Sequence, residues 1–383
     1  MGRSIEVPVT PSVLRWAIEE SGEDPEQIAQ AVGVSRALLS QWVTGDSKPD
    51  LTHARKLASK LHRPFTALLL PSPPERRPLP VEFRHPSGDP RELNPNERRY
   101  LRRAARYQEV LSLLAKELEI EKARTPSATI NDDPAKVAKV VRDALKVSPE
   151  AQKGWANPSV AFDEWRAALE RTGHIVFLFS IGKESCRGFS LWDDFAPIVA
   201  INTAWNESAR IFTLFHEIGH LVTRTSSACV ESMRTASSKD PVERWCERFA
   251  ADVLIPINYV EATLQQFGWR PGTHITNLKV AGRIADLYKV SLRAAVIRLI
   301  GLKAATWDLY NDISPISDKK TSGGGGGGRN RTEIREDQFG ERATSLLVDA
   351  VEKDVLSRSQ AVGLLDIPDE SFDHLIRAGR HIR

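Results

Sequence analysis

The chain is poor in cysteine and methionine, and it has no long apolar run. Of its 383 residues only three are cysteines, Cys186, Cys229 and Cys246, and two are methionines. An odd number of thiols without paired spacing argues against a disulfide framework and indicates a reducing compartment. No stretch reaches the roughly eighteen apolar residues of a membrane span, and the first residues lack the apolar core of a signal peptide. We therefore expect a cytoplasmic protein with no membrane partner.

The chain also lacks a strong net charge. Its 53 basic and 50 acidic side chains leave a formal charge of +3, which by itself does not predict binding to nucleic acid. A hydrophobic content of 41% and a charged content of 27% are typical of globular proteins. The length is sufficient for two or three domains, each with its own core.

One apolar, proline-free stretch carries the strongest chemical signal. Residues 212–222 read Phe-Thr-Leu-Phe-His-Glu-Ile-Gly-His-Leu-Val, so His216 and His220 stand four residues apart. On a helix these two imidazoles lie on one face and can bind a single ion, as in zincins. Glu217 follows the first histidine and can act as general base on a water at that ion. Gly219 lies on the same face, where the missing side chain allows another segment to approach closely.

A catalytic zinc needs a third protein ligand, and the downstream helix offers two candidates. Asp240-Pro241 predicts the start of a helix from Val242 to Pro256, on which Glu243 and Glu247 are four residues apart on one face. Either carboxylate could complete the site. We expect one Zn²⁺ per chain, with another divalent ion such as Mn²⁺ as the alternative. For the group that stabilises the oxyanion the sequence offers four residues without choosing among them, Tyr259, His274, Arg283 and Tyr288.

The first seventy residues read as four or five short helices. Thr10-Pro11, Asp24-Pro25, Ser35 and Asp50 are start signals, and glycines mark the turns. This order resembles the XRE (Cro/C1-type) helix-turn-helix family. The resemblance implies that Ser35 to Val43 form the recognition helix. It further implies the following DNA contacts: base edges for Arg36, Ala37, Ser40 and Gln41, and a phosphate for Gln27.

The balanced charge of this segment is also compatible with a role other than DNA binding. Residues 1–70 contain eight basic and eight acidic side chains, whereas DNA-binding domains usually carry a basic surface. The helix-turn-helix could therefore serve dimerisation or partner docking instead, and we expect a homodimer to form through this region. Five arginines between Arg98 and Arg106 begin a helix predicted from Glu97 to Arg124. They could line a phosphate backbone or form a solvated face.

Between the arginine-rich helix and the His-Glu-x-x-His stretch, the apolar pattern predicts further helices. Strands follow at His174–Phe179, Gly188–Trp192 and Pro197–Asn202. One of the last two strands is expected to be the edge to which a peptide substrate adds itself. His-Glu-Ile-Gly-His, followed by Glu243-x-x-Cys246-x-x-Phe249-Ala-Ala and then Leu-Ile-Pro, is similar to the ImmA/IrrE family of intracellular metallopeptidases. The resemblance implies that Glu243 is the third ligand. The family commonly has Asn at the position of Glu247.

The predicted fold class is α+β, in five segments. They are an all-α helix-turn-helix domain (1–71), a proline-rich linker with a basic helix (72–130), a zincin-like α+β domain (131–312), a glycine-rich linker (313–330) and a small helical module (331–383). We expect a zinc endopeptidase that cleaves a repressor or antitoxin in a stress, phage or toxin–antitoxin circuit. The alternative is a DNA-binding regulator or antitoxin whose zincin-like domain binds a protein partner without cutting it.

Overall fold

The structure is a computed structural model that describes residues 5–74, 93–225, 227–229, 240–313 and 330–380. For residues 227–229 and 378–380 only the backbone is described. The predicted glycine run Gly323–Gly328 and the segment from Pro78 to Arg84 lie outside the described residues. The described chain divides into two compact units, with one boundary inside a helix, between Arg103 and Ala104. The five-segment division of the sequence stays a prediction.

The first unit is all-helical, as predicted. Its four N-terminal helices are α1 (Pro11–Ser21), α2 (Pro25–Val32), α3 (Arg36–Thr44) and α4 (Leu51–Lys60), followed by a 3₁₀ turn at Phe65–Leu69. Side-chain caps start three of them, because the oxygens of Asp24, Ser35 and Asp50 accept from free backbone N–H groups in the first turn. Leu14, Ile28 and Leu57 lie in their common core. These helices form the predicted helix-turn-helix arrangement.

The second unit is α+β, as predicted, and begins within α5 (Pro95–Glu117). Before the sheet come α6 (Pro134–Leu145), α7 (Pro149–Gly154) and α8 (Pro158–Arg171). The sheet strands are β1 (Ile175–Phe179), β2 (Gly188–Leu191), β3 (Ile198–Asn202) and β4 (Ser227–Cys229), with α9 (Glu207–Val222) between the last two. Helices α10 (Pro241–Leu254), α11 (Ile257–Gln266), α12 (Leu278–Tyr288), α13 (Leu292–Gly301) and α14 (Trp307–Asn311) follow.

The four strands form one sheet in the order β1-β3-β2-β4. Strand β3 pairs parallel with β1 and antiparallel with β2, so it is an interior strand. Strand β2 also pairs antiparallel with β4, with Ser190 opposite Ser227 and Gly188 opposite Cys229. Every residue of β1, β2 and β3 is buried, which explains the continuous apolar runs Ile175–Phe179 and Ile198–Ile201.

The C-terminal segment is helical and packs against this sheet. It comprises α15 (Arg331–Glu352), α16 (Arg358–Leu365) and α17 (Asp369–Arg380). Helix α15 is interrupted at Gly340, whose backbone has φ +76° and ψ 170°. Phe339, just before this break, is 1% exposed and its ring meets Phe177 of β1 and Tyr107 of α5 edge-on.

The prediction that one helix runs from Glu97 to Arg124 was wrong at its C-terminal end. Helix α5 ends at Glu117, and Glu119 adopts a left-handed backbone with φ +55°. Tertiary hydrogen bonds redirect the chain beyond this point, because Ala123 N donates to Asp194 O and Arg124 N donates to Thr172 O. Among the described residues, no helix combines the length and apolar character needed to cross a membrane.

Candidate metal centre

Helix α9 carries the His-Glu-x-x-His motif through the interior of the second unit. The Asn206 side chain caps it by accepting from Ala209 N at 2.9 Å, and residues 209–222 are all buried. His216 and Glu217 are 0% exposed and His220 is 1% exposed. Because burying unpaired polar side chains is costly, three adjacent buried ionisable groups need partners within the protein.

A carboxylate from α10 supplies a partner for both histidines. His216 Nε2 lies 3.1 Å from Glu243 Oε2, and His220 Nε2 lies 3.3 Å from Glu243 Oε1. The two Nε2 atoms are themselves 3.1 Å apart. Helix α10 presents this carboxylate in its first turn, after a cap in which Asp240 accepts from Val242 N at 2.7 Å. The structure thus brings His216, His220 and Glu243 together, and it does not include Glu247 in this group.

The spacing and chemistry of these donors fit a bound zinc ion. Tetrahedral ligands at the usual distance of about 2.05 Å from zinc are separated from one another by about 3.3 Å. The two imidazole nitrogens are 3.1 Å apart, and each lies 3.1 or 3.3 Å from a different oxygen of the Glu243 carboxylate, so one ion could contact all three side chains. Two imidazoles and one carboxylate form the ligand set of a catalytic zinc that keeps its fourth position open.

Gly219 allows the two helices to approach this closely. A Cβ atom at Gly219 would lie 3.1 Å from both Cβ and Sγ of Cys246, and 3.2 Å from its Cα. Cys246 lies one helical turn beyond Glu243, so the close approach of α9 and α10 is what brings Glu243 to the imidazoles. The expectation that a missing side chain here admits another segment is confirmed.

Charge is strongly coupled within the cluster. Burial alone would raise the pKa of Glu243, but hydrogen bonds from His216 and His220 hold that pKa far below its usual range. Burial likewise disfavours a charged His220, yet Cys246 and Glu243 raise its pKa well above the ordinary value.

Two further carboxyl groups lie near the cluster. Burial raises the pKa of Glu217, while His220, His216 and the neighbouring Ser190 oppose that rise. Burial raises the pKa of Glu247 to about 7, and His216 opposes this rise. Glu217 is thus surrounded by an imidazole pair and a hydroxyl, consistent with a carboxylate that exchanges a proton.

The sheet does not offer the free edge expected at either predicted strand. Strand β3, predicted as Pro197–Asn202, is interior and cannot accept a peptide, so that alternative was wrong. Strand β2, predicted as Gly188–Trp192, pairs on its other side with β4. The polar sequence between His220 and Lys239 gives no indication of β4.

The four residues predicted as candidates for stabilising the oxyanion have recorded contacts elsewhere or are exposed. Arg283 stacks over the Phe267 ring, and Tyr288 is 0% exposed with Lys153 over its ring. His274 is exposed, and Tyr259 is 41% exposed. None of these contacts involves the imidazole pair or Glu217.

The predicted DNA-contacting residues share one surface. On α3, the side chains of Arg36, Ala37, Ser40 and Gln41 are exposed, whereas Leu39 and Trp42 face the core. Gln27 on α2 is exposed as well. The nearest acidic group to Arg36 is Glu26, at 3.9 Å, so this surface is not strongly basic.

Some arginines at the start of α5 contact the protein itself, an arrangement that differs from the two that the sequence suggested, a phosphate-binding row and a solvated face. Arg98 Nε donates to Leu93 O at 3.0 Å, and Arg102 donates to Glu20 O. Arg102 also lies 3.7 Å from the Glu20 carboxylate. At least two of the five arginines therefore bind main-chain carbonyls inside the first unit.

Sequence reasoning also missed Thr225, three residues past the end of α9. Its Oγ1 lies 3.0 Å from Nδ1 of His220. The only available signal was a hydroxyl residue shortly after the second histidine, and such residues are common in loops.

Comparison with family models agrees with these arrangements. Residues 169–299 match the IrrE N-terminal-like domain, and residues 14–68 match a helix-turn-helix model. These two matches agree with the XRE-type helix-turn-helix and the ImmA/IrrE-like domain that the motifs predict, and each covers less than half of the chain. Comparison with curated proteins gives no significant match.

Proposed function

We propose that this protein is a zinc-dependent endopeptidase that cleaves one regulatory protein, a repressor or antitoxin, within a stress, phage or toxin–antitoxin circuit. The observation that carries the proposal is the convergence of His216 Nε2, His220 Nε2 and the two oxygens of the Glu243 carboxylate, with contacts of 3.1–3.3 Å, beside the Glu217 carboxyl. The fused helix-turn-helix domain supports a regulatory role, because it can bring the peptidase to DNA-bound proteins.

In this proposal His216, His220 and Glu243 hold the ion. When bound, a divalent ion of this kind acidifies water and polarises a carbonyl group. Glu217 takes a proton from the attacking water and delivers it to the leaving amine. Ser190 of β2 lies beside Glu217 and favours its ionised form.

A substrate would extend the sheet along β2, the strand whose Ser190 lies beside Glu217. Because β3 occupies one side of β2 and β4 the other, a peptide can pair with β2 only in place of β4. Main-chain pairing of this type binds an extended segment and leaves sequence preference to the side chains.

Substitution of the general base tests the proposal. We expect Glu217→Gln to abolish cleavage of the protein encoded by the adjacent reading frame, while zinc content and fold stay unchanged, because Gln cannot accept the proton. Glu164→Gln, an exposed site on α8 with the same chemical change, should cleave like the wild type. Equal cleavage by the Glu217→Gln variant would contradict the proposed mechanism.

One observation favours a second function, a DNA-binding regulator whose zincin-like domain binds a partner without proteolysis. His216, Glu217 and His220 are at most 1% exposed, and β4 already pairs with β2. A peptidase must admit a peptide to its centre, whereas a binding domain need not.

DNA-binding measurements separate this alternative. We expect Arg36→Ala and Gln41→Ala each to weaken binding to the protein's own promoter DNA by about 10-fold, the value of one good base contact. Arg55→Ala on α4 removes an equal charge outside the α3 surface and should have a smaller effect. Undiminished binding by both α3 variants would exclude this surface as the DNA contact.

A further inference from the structure

Two threonine hydroxyls form a hydrogen-bonded chain from the end of α9 to His220. His220 Nδ1 lies 3.0 Å from Thr225 Oγ1, which lies 2.8 Å from Thr223 Oγ1. Thr223 Oγ1 in turn donates to Gly219 O at 3.0 Å. The chain thus runs from an imidazole nitrogen to a carbonyl of the same helix.

The carbonyl end determines the direction of this chain. A carbonyl oxygen can only accept, so Thr223 uses its single hydroxyl proton on Gly219 O. Thr225 can then donate its proton to Thr223 Oγ1, which leaves its lone pairs to accept from His220 Nδ1–H. An imidazole that keeps its proton on Nδ1 presents the lone pair of Nε2, and Nε2 is the atom that faces His216 and Glu243.

The backbone fixes both hydroxyls in place. Thr225 N donates to His220 O at 2.9 Å, and Arg224 between the threonines adopts φ +57°. The Arg224 guanidinium lies 3.4 Å from the centre of the Trp192 ring and donates to Leu221 O at 2.8 Å. Thr225 is therefore held beside the imidazole by the turn rather than by its own side chain.

We propose that Thr225 is a positioning residue of the metal centre: it accepts a hydrogen bond from Nδ1–H of His220 and thereby orients Nε2 toward a divalent cation. This inference rests on the metal site of the proposed function but not on proteolysis. Partners of this kind on the second nitrogen of a ligating histidine fix its tautomer and ring orientation.

Zinc affinity, measured by competition with a chelating dye, tests the role. We expect Thr225→Val to weaken zinc binding about 10- to 100-fold, because the isosteric side chain cannot accept a hydrogen bond. Thr225→Ser should restore wild-type affinity. Thr213→Val is the matched control and should leave the affinity unchanged. Among the described residues, the hydrogen bond of Thr213 Oγ1 goes to Ala209 O on the same helix, at 3.1 Å.

A spectroscopic signature separates positioning from a general structural effect. In the cobalt-loaded protein, the Nδ1–H proton of His220 gives a paramagnetically shifted NMR signal that exchanges with solvent. We expect slow exchange in the wild type and in Thr225→Ser, and fast exchange in Thr225→Val.

Wild-type affinity and slow exchange in Thr225→Val would overturn the proposal, as would equal losses in the Val and Ser variants. A wild-type protein that binds no zinc would overturn it together with the proposed function. Absence of proteolysis by a zinc-loaded wild type would refute only the endopeptidase and leave the role of Thr225 standing.

Discussion

Single residues show two opposite ways to bury a histidine in this protein. His216 and His220 share a carboxylate, which favours positive charge between them. His174, 3% exposed, lies instead between two hydroxyls, with Thr125 Oγ1 2.9 Å from Nε2 and Thr172 Oγ1 2.9 Å from Nδ1. Since a hydroxyl can both donate and accept, this pair satisfies a neutral imidazole, and burial lowers the pKa of His174 to about 4.

This shift predicts a loss of stability in acid. Between pH 6.5 and about 4 the unfolded chain binds a proton at His174 that the folded protein does not, so the free energy of unfolding falls as pH decreases. The full loss near pH 4 is about 3 kcal/mol, from 1.36 kcal/mol for each pKa unit.

Urea unfolding of the wild type and of His174→Gln across this pH range measures the effect. Glutamine does not titrate, so the variant should show a shallower decline below pH 6.5 whatever its stability at neutral pH. Parallel declines in the two proteins would refute the assignment.

At the scale of helices, the position of α10 depends on its close approach to α9 as well as on its own sequence. A methyl group at Gly219 would gain about 1 kcal/mol of helix propensity, but overpacking against a well-packed neighbour typically costs about 1–3 kcal/mol. The contacts at Gly219 include the Cα and Cβ of Cys246, which cannot rotate away. We therefore expect Gly219→Ala to destabilise the protein and to weaken zinc binding, because α10 carries Glu243.

Gly282 provides the matched substitution. It lies inside α12, and a Cβ there would meet nothing within 4 Å, so Gly282→Ala should raise the free energy of unfolding by about 1 kcal/mol. Thermal unfolding and zinc titration of both variants measure the difference. A stabilised Gly219→Ala with normal zinc affinity would show that the two helices can separate without cost.

The elements that the sequence predicted well are those with local start signals. Asp240-Pro241 predicted the start of α10, which carries Glu243, and the apolar, proline-free stretch around His216 predicted α9. Strand β4 could not be predicted, because three residues acquire strand geometry only by pairing with β2. The choice between Glu243 and Glu247 also needed the structure, since both lie on one face and only the packing of α9 on α10 distinguishes them.

At the scale of the whole molecule, the C-terminal segment is part of the second unit rather than a separate tail. Arg166 on α8 donates to Asp337 O at 2.7 Å, and Glu170 accepts from Glu341 N at 2.8 Å. Any Cβ at Gly340 would overlap the Glu170 carboxylate, so only glycine fits at this break in α15. The sequence predicted a small helical module here but not its packing against α8 and β1.

The packing of α15 against the second unit predicts that loss of one buried ring will destabilise the protein. Phe339→Ala removes a fully buried ring from the contact with Phe177 and Tyr107 and should cost about 3–5 kcal/mol. Hydrogen exchange should then accelerate at the amides of residues 340–352. Val355→Ala, at a position 39% exposed in the same segment, should change stability by less than about 0.5 kcal/mol. Unchanged exchange in the Phe339 variant would contradict this attachment.

The central claim concerns which atoms hold the ion, and X-ray absorption at the zinc edge of the purified protein tests it most directly. The account predicts one zinc per chain with only nitrogen and oxygen ligands at about 2.0–2.2 Å, from His216, His220 and Glu243. A sulfur ligand at about 2.3 Å, which Cys246 would supply, or a protein without bound metal would contradict it.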